Sequence, residues 1–167
     1  MSHKYFVIDF DSTFTKVEAF DILAEISLKD NPAQEEIKKQ IIQITNQGMD
    51  GSLSVRESLQ KRLLLLAADR KHLPLLIQRL KASVSESFKR NKEFFTRYAD
   101  HVYIISNGFR EFIEPVVTEF GIKPANILAN EFRFDEHGHV IGFDMENPLS
   151  SNNGKSEQLK RLNLNGD

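Results

Sequence analysis

Phe6-Val7-Ile8-Asp9-Phe10-Asp11-Ser12-Thr13 is an apolar run that ends in two acids and a hydroxyl pair. A strand buried on both faces reads as a near-continuous apolar run, and residues 5–8 have that character. In open α/β sheets the chemistry sits just beyond the carboxyl ends of such strands. Asp9 and Asp11 occupy that position, and on an extended chain residues two apart point the same way. Two such carboxylates can share one divalent cation, because hard cations take carboxylate and carbonyl oxygens. A carboxylate can also attack phosphorus as a nucleophile. The competing reading is an Asp-rich turn that merely ends a strand and caps a helix.

The chain has 167 residues, enough for one domain or a core with a modest insert. Its 22 basic and 24 acidic side chains nearly cancel, for a net charge of −2, and no long block of one sign occurs. That argues against a nucleic-acid partner or a polybasic membrane surface. There is no cysteine, which excludes disulfides and thiolate metal sites and agrees with a cytoplasmic setting. Met1-Ser2-His3-Lys4 runs straight into the first strand rather than reading as a secretory signal. The apolar run 63–68 is far shorter than the roughly 20 residues of a membrane span.

Beyond Glu18 the periodicity is helical. Ala19, Ile22, Leu23 and Ile26 recur at helical spacing, and Asn31-Pro32 breaks the pattern. The spacing of Ile37, Ile41 and Ile44 predicts a helix over 33–47, and Gly48 to Ser52 reads as a turn. Ser54 and Glu57 form a capping-box signature ahead of Val55, Leu59 and Leu63. A further helix is expected from Pro74 through Ile77, Leu80 and Val84. Strand–helix alternation then resumes. A strand is predicted at 102–105, a turn at Ser106-Asn107-Gly108, a helix at 109–120 and a strand at 127–129. A hairpin is predicted from 131–134 and 140–144, and a last helix at 155–162. Several helices in succession inside an alternating pattern indicate an insertion. The expected architecture is therefore α/β, a parallel-sheet core from 1–15 and 86–167 with a helical cap over 16–85. A plain helical bundle with one misread strand is the alternative.

Asp9-x-Asp11-Ser12-Thr13 after a short apolar strand resembles the first signature of the haloacid dehalogenase superfamily, and more narrowly its phosphoserine phosphatase branch. The resemblance implies a Rossmann-like core, Mg²⁺, and phosphate transfer through an aspartyl phosphate. It makes Asp9 the nucleophile and Asp11 the general acid/base, with both at the metal, Asp11 through its backbone carbonyl. Ser106, by the residues alone, offers a hydroxyl and neighbouring N–H groups to a phosphate oxygen, or is a simple N-cap. The resemblance assigns it the phosphate, and gives Asn107, where the family usually has Gly, a backbone contact. Lys155 opens a helix against the macrodipole, which stabilising a phosphoryl transition state would explain; the alternative is a solvated lysine. Gly154-Lys155-Ser156 is not a nucleotide loop, because position 149 is Leu and no strand precedes it. The likeness extends through 44–51 and 58–62. There it implies that Glu18 takes the substrate ammonium, Met49 packs over the substrate and Arg62 pairs with its carboxylate. His101, His137 and His139 are not convincing metal ligands.

The family's fourth signature, a strand ending in an acid pair, has no counterpart before Asp167. The expectation is an incomplete core whose first strand keeps an unpaired edge, a site for a homodimer. The substrate implied is a small phosphorylated amino acid, with L-serine synthesis as the setting. The alternatives are a related small-molecule phosphatase or phosphotransferase, and a non-catalytic binding or regulatory module.

Overall fold

The computed structural model describes residues 4–162. The readings at Met1, Ser2 and His3, and the missing acid pair near Asp167, lie outside these residues. β1 (Phe6–Ile8) pairs in parallel with β2 (Val102–Phe109), which pairs in parallel with β3 (Ile127–Asn130). Phe6 stands opposite Val102, and Ile104 sits between Ile8 and Ile127. β2 is central, and its apolar run Val-Tyr-Ile-Ile matches a strand covered on both sides. Among the described residues β1 is an edge strand, with Val7 40% exposed.

α1 (Ala19–Ser27), α2 (Gln34–Met49), α3 (Val55–Leu66) and α4 (Leu73–Ala82) separate β1 from β2, together with the short α5 (Glu86–Arg90) and α6 (Lys92–Arg97). α3 starts where the capping box predicts: the Ser54 hydroxyl accepts the Glu57 N–H, and the Glu57 carboxylate accepts the Ser54 N–H at 2.9 Å. Gly48 and Met49 belong to α2, not to a turn. Gly48 is used for closeness, since a Cβ there would lie 2.9 Å from Ser58 Oγ on α3. Gly51, at φ 84°, is the glycine the turn requires. α5 and α6 were not legible in the sequence because each is too short for periodicity to accumulate. The two ends of the helical segment are laced together. The Lys16 N–H donates to the Ser83 carbonyl at 2.8 Å, and the Ser85 N–H to the Phe14 carbonyl at 2.9 Å.

β2 runs on through Ser106, Asn107 and Gly108, where the sequence pattern predicts a turn. α7 (Arg110–Val117) follows at once, and a 3₁₀ turn at Thr118–Phe120 ends at Gly121, φ 84°. The expected helix over 109–120 is thus shorter and in two parts. β4 (Phe132–Phe134) and β5 (Val140–Phe143) form the antiparallel hairpin, and α8 (Gly154–Leu162) closes the described chain. One cluster of buried side chains joins α1, α3 and α4 to β2 and α7. Phe14 is fully buried at its centre, against the rings of Phe10, Phe88, Phe95 and Phe120. No helix among the described residues is long and apolar enough to cross a membrane.

Glu111, in the first turn of α7, accepts the Phe132 N–H through Oε1 at 2.8 Å, while its buried Oε2 has no hydrogen-bond partner among the described residues. Burial pushes its carboxyl up from the ordinary value, with the Glu131 charge adding to the shift. The folded state therefore holds this proton more tightly than the unfolded chain. The stabilisation is complete below the ordinary glutamate range and is lost as pH rises through the raised value. Glu111→Gln keeps the acceptor for Phe132 and removes the buried charge. Its melting temperature is expected to exceed that of the parent by about 3 °C at pH 8 and to match it at pH 4, as about 1 kcal/mol would give. Equal melting temperatures at both pH values would refute this.

Candidate active site

The chain leaves β1 through an irregular five-residue turn, Phe10–Phe14, closed by the Thr15 N–H on the Phe10 carbonyl at 3.1 Å. Asp9 and Asp11 therefore do not share a face of an extended strand, as the two-residue spacing predicts. Asp11 is extended (φ −61°, ψ 133°) and Ser12 is left-handed (φ 54°), a conformation that costs a non-glycine residue about 1 kcal/mol. The turn nevertheless directs both acids into one cleft of about 380 Å³, within the range usual for small-molecule sites.

Asp9 Oδ1 accepts the Phe10 N–H at 2.8 Å, and Oδ2 pairs with Lys155 Nζ at 2.8 Å across 146 residues of sequence. Lys155 is the second residue of α8, so its placement against the helix dipole is offset by this carboxylate. Asp11 Oδ1 accepts the Ala19 N–H at 2.7 Å. Burial raises the Asp11 carboxyl to about 7, with Glu18 and Asp9 adding repulsion against the pull of the Ala19 hydrogen bond and Arg62. A carboxyl in that range can give and take a proton at neutral pH.

Ser106 is buried at the floor, and its Oγ accepts the Gly108 N–H at 2.9 Å. Gly108 leaves little room for a side chain, since a Cβ would lie 3.1 Å from Ser106 Oγ and Ile113 Cδ1 and 3.2 Å from Asp11 Oδ2. Asn107 turns its side-chain amide away from the cleft onto the Leu149 carbonyl at 2.8 Å. Asn130 donates to the same carbonyl at 3.1 Å and to the Asn107 carbonyl at 2.8 Å. Asn107 thus ties the loop before α8 to the end of β2.

The opposite wall comes from the helical segment. Glu18 accepts a hydrogen bond from Ser12 Oγ. Arg62 donates from Nε to the Ser58 carbonyl at 3.3 Å, and burial pulls its guanidinium below the usual arginine range. Met49 lines the mouth and is 81% exposed. Asp9, Asp11, Glu18, Met49, Arg62, Ser106, Asn107 and Lys155 all line this one cleft. Sequence reasoning missed Phe20, Gly108 and Gly154. The two glycines matter by close approach, which leaves no periodic signal. His137 and His139 lie at the hairpin, where His139 Nδ1 is 2.9 Å from Asp135 Oδ2.

Asp9 meets the Lys155 ammonium, while Glu18 and Arg62 act on Asp11 by their charge within the same cleft. The sequence pattern of the haloacid dehalogenase-like hydrolases matches residues 6–167. The phosphoserine phosphatase of Drosophila melanogaster is 30% identical over 151 residues, covering 90% of this chain and 53% of that protein. That of Homo sapiens is 27% identical over 154 residues, covering 92% and 65%. Among solved structures, a phosphoserine phosphohydrolase-like protein from Francisella tularensis subsp. tularensis SCHU S4 superimposes with a TM-score of 0.79 at 28% identity, over 94% of this chain and 74% of that one. The chain spans between half and two thirds of the length of these two curated relatives. The parallel sheet, the acids after its first strand and a family pattern running through nearly the whole sequence lead to one assignment: this chain belongs to the haloacid dehalogenase-like hydrolases.

Proposed function

We propose that this chain carries the reaction centre of a Mg²⁺-dependent phosphomonoester hydrolase that acts on L-phosphoserine through an aspartyl phosphate on Asp9. The observation that carries this reading is the Asp9–Lys155 pair, 2.8 Å apart, in a cleft shared with Ser106, Asp11, Glu18 and Arg62. The proposal includes a cytoplasmic setting, a role in forming L-serine, and segment 16–85 as a cap over the site.

The Asp9 carboxylate attacks phosphorus, and the bond from phosphorus to the serine oxygen breaks. Asp11 gives that oxygen its proton. Asp11 then takes a proton from water, which attacks the aspartyl phosphate and frees phosphate and Asp9. Lys155 holds Asp9 and offsets charge on the phosphoryl group, and the Ser106 hydroxyl and the Asn107 main chain hold its oxygens. Glu18 suits the ammonium of the amino acid, and the Arg62 fork suits its carboxylate. Asp9 and the Asp11 carbonyl supply hard oxygen ligands that fit Mg²⁺, an ion commonly bound through one or two carboxylates with water and phosphate oxygens. Bound there, the ion supplies charge neutralisation for the phosphoryl oxygens.

Phosphate release is expected to be at least tenfold faster, as kcat/KM, from L-phosphoserine than from O-phosphoethanolamine, which lacks the carboxylate. Arg62→Met should erase that preference. Equal rates for the two substrates with the parent chain would reject the amino-acid reading. Transfer to an added alcohol in preference to water would favour a phosphotransferase. We also propose that the β1 edge pairs two copies of the chain, because among the described residues β1 is an edge strand with unpaired main chain and an exposed Val7. Sedimentation equilibrium should show a dimer that Val7→Pro dissociates; a monomer at all concentrations would reject this pairing.

A further inference from the structure

Phe20 is the second residue of α1 and lines the cleft, yet it has no polar atom to offer a ligand. Its ring lies beneath the Arg62 guanidinium, with Cζ 5.0 Å from the ring centroid. The ring is itself held in a stack. Phe20 lies on Phe109 at 5.6 Å with 12° between planes, and Phe109 lies on Phe132 at 4.0 Å with 9°. Phe109 is fully buried, and Phe20 and Phe132 are 8% and 7% exposed. The stack passes from the helical segment through the end of β2 to the hairpin, and this packing restrains the top ring.

Among the described residues Arg62 makes a single hydrogen bond, from Nε to Ser58, and no ion pair. Asp11, Glu18 and Asp21 act on it only through their charge. Its terminal N–H groups are therefore uncommitted. A guanidinium attracted by an aromatic face is held through its plane, which leaves the N–H edge open. That edge is the part that grips a carboxylate with two parallel hydrogen bonds.

We propose that Phe20 is the positioning residue that fixes the Arg62 fork for a substrate carboxylate, and so sets the preference for phosphorylated amino acids over phosphorylated amines. This rests on the L-phosphoserine reading given above. A leucine at position 20 would fill much of the volume but present no π face, and the arginine would lose its platform.

The test is calorimetric titration with L-phosphoserine and with O-phosphoethanolamine, in an Asp9→Asn background so that hydrolysis does not consume the ligand. Phe20→Leu is expected to weaken L-phosphoserine about tenfold and leave O-phosphoethanolamine within twofold, whereas Phe20→Tyr should restore the parent values. Melting curves of each variant verify folding, and Phe20→Tyr keeps the comparison usable if the leucine variant does not fold, since a tyrosine that binds L-phosphoserine as weakly as O-phosphoethanolamine would also overturn the proposal. If the parent prefers L-phosphoserine and Phe20→Leu keeps that preference, the role of Phe20 is rejected and the substrate reading stands. Equal weakening of both ligands would assign Phe20 a purely structural part and likewise overturn the proposal. If the parent binds the two ligands equally, both the substrate reading and this inference fail.

Discussion

Replacing Asp9 by Asn is expected to lower phosphate release from L-phosphoserine by roughly 10⁴-fold or more, the scale on which loss of a nucleophile acts. An amide offers phosphorus no anionic oxygen, and it cannot hold the Lys155 ammonium by charge. The fold should be indifferent. The Asp9 and Lys155 side chains are 42% and 39% exposed, and a pair so open to water contributes under about 1 kcal/mol. The amide oxygen can still accept the Phe10 N–H that Asp9 Oδ1 accepts at 2.8 Å. The melting temperature should therefore stay within a few degrees of the parent. Acid quenching of the parent during turnover should leave phosphate on the peptide that carries Asp9, and none in the variant. Turnover that survives Asp9→Asn would remove Asp9 as the nucleophile. A parent chain that binds L-phosphoserine but releases no phosphate would favour the binding-module alternative.

What could be read from the sequence was what repeats or alternates. The run into Asp9 located a strand, because burial on both faces demands apolar side chains. Ser54 and Glu57 located the start of α3, because orphan N–H groups at a helix start need acceptors. The order of acids, serine and lysine along the chain indicated one site, and the eight residues singled out do line one cleft. What was not legible depends on contacts between distant segments. The hold of the Asn107 side chain on the Leu149 carbonyl had no trace, because nothing in the sequence places Leu149 beside it. Gly48 read as a turn because its closeness to Ser58, on a neighbouring helix, has no local trace. Ser106 to Gly108 read as a turn, since polar and glycine residues interrupt the strand pattern, yet β2 continues through them with a register shift between Ile105 and Phe109. Phe20 has no mark in the apolar spacing that predicts α1, and its place under Arg62 is visible only once α1 and α3 are packed together.

Gly154→Ala is the substitution expected to damage stability and function together. The glycine opens α8 with ordinary backbone angles, so the constraint is space rather than conformation. A Cβ there would fall on the Pro148 carbonyl oxygen, 2.7 Å from the Pro148 carbonyl carbon and 2.9 Å from Leu149 Cα. All three are main-chain atoms of the turn Pro148–Ser150, which has little freedom to retreat. Pro148 has a fixed φ. The Leu149 carbonyl accepts the amides of both Asn107 and Asn130, and the Leu149 N–H donates to Asn147 Oδ1 at 3.0 Å. Asn147 is tied in turn to the Ala129 carbonyl at 2.7 Å, on the strand next to β2. The helix must therefore move rather than the turn. A shift of about 1 Å would take Lys155 out of its 2.8 Å contact with Asp9, and misplacement on that scale costs about 10²-fold in rate. Overpacking of this kind costs about 2–3 kcal/mol, so the melting temperature should fall by roughly 8 °C. Lys155→Met separates the two effects. It should lose activity at nearly unchanged melting temperature, because its partly exposed pair adds little stability. A Gly154→Ala protein that keeps both the parent rate and the parent melting temperature would show that the turn can yield, and that the seating of α8 on Pro148 does not control where Lys155 stands.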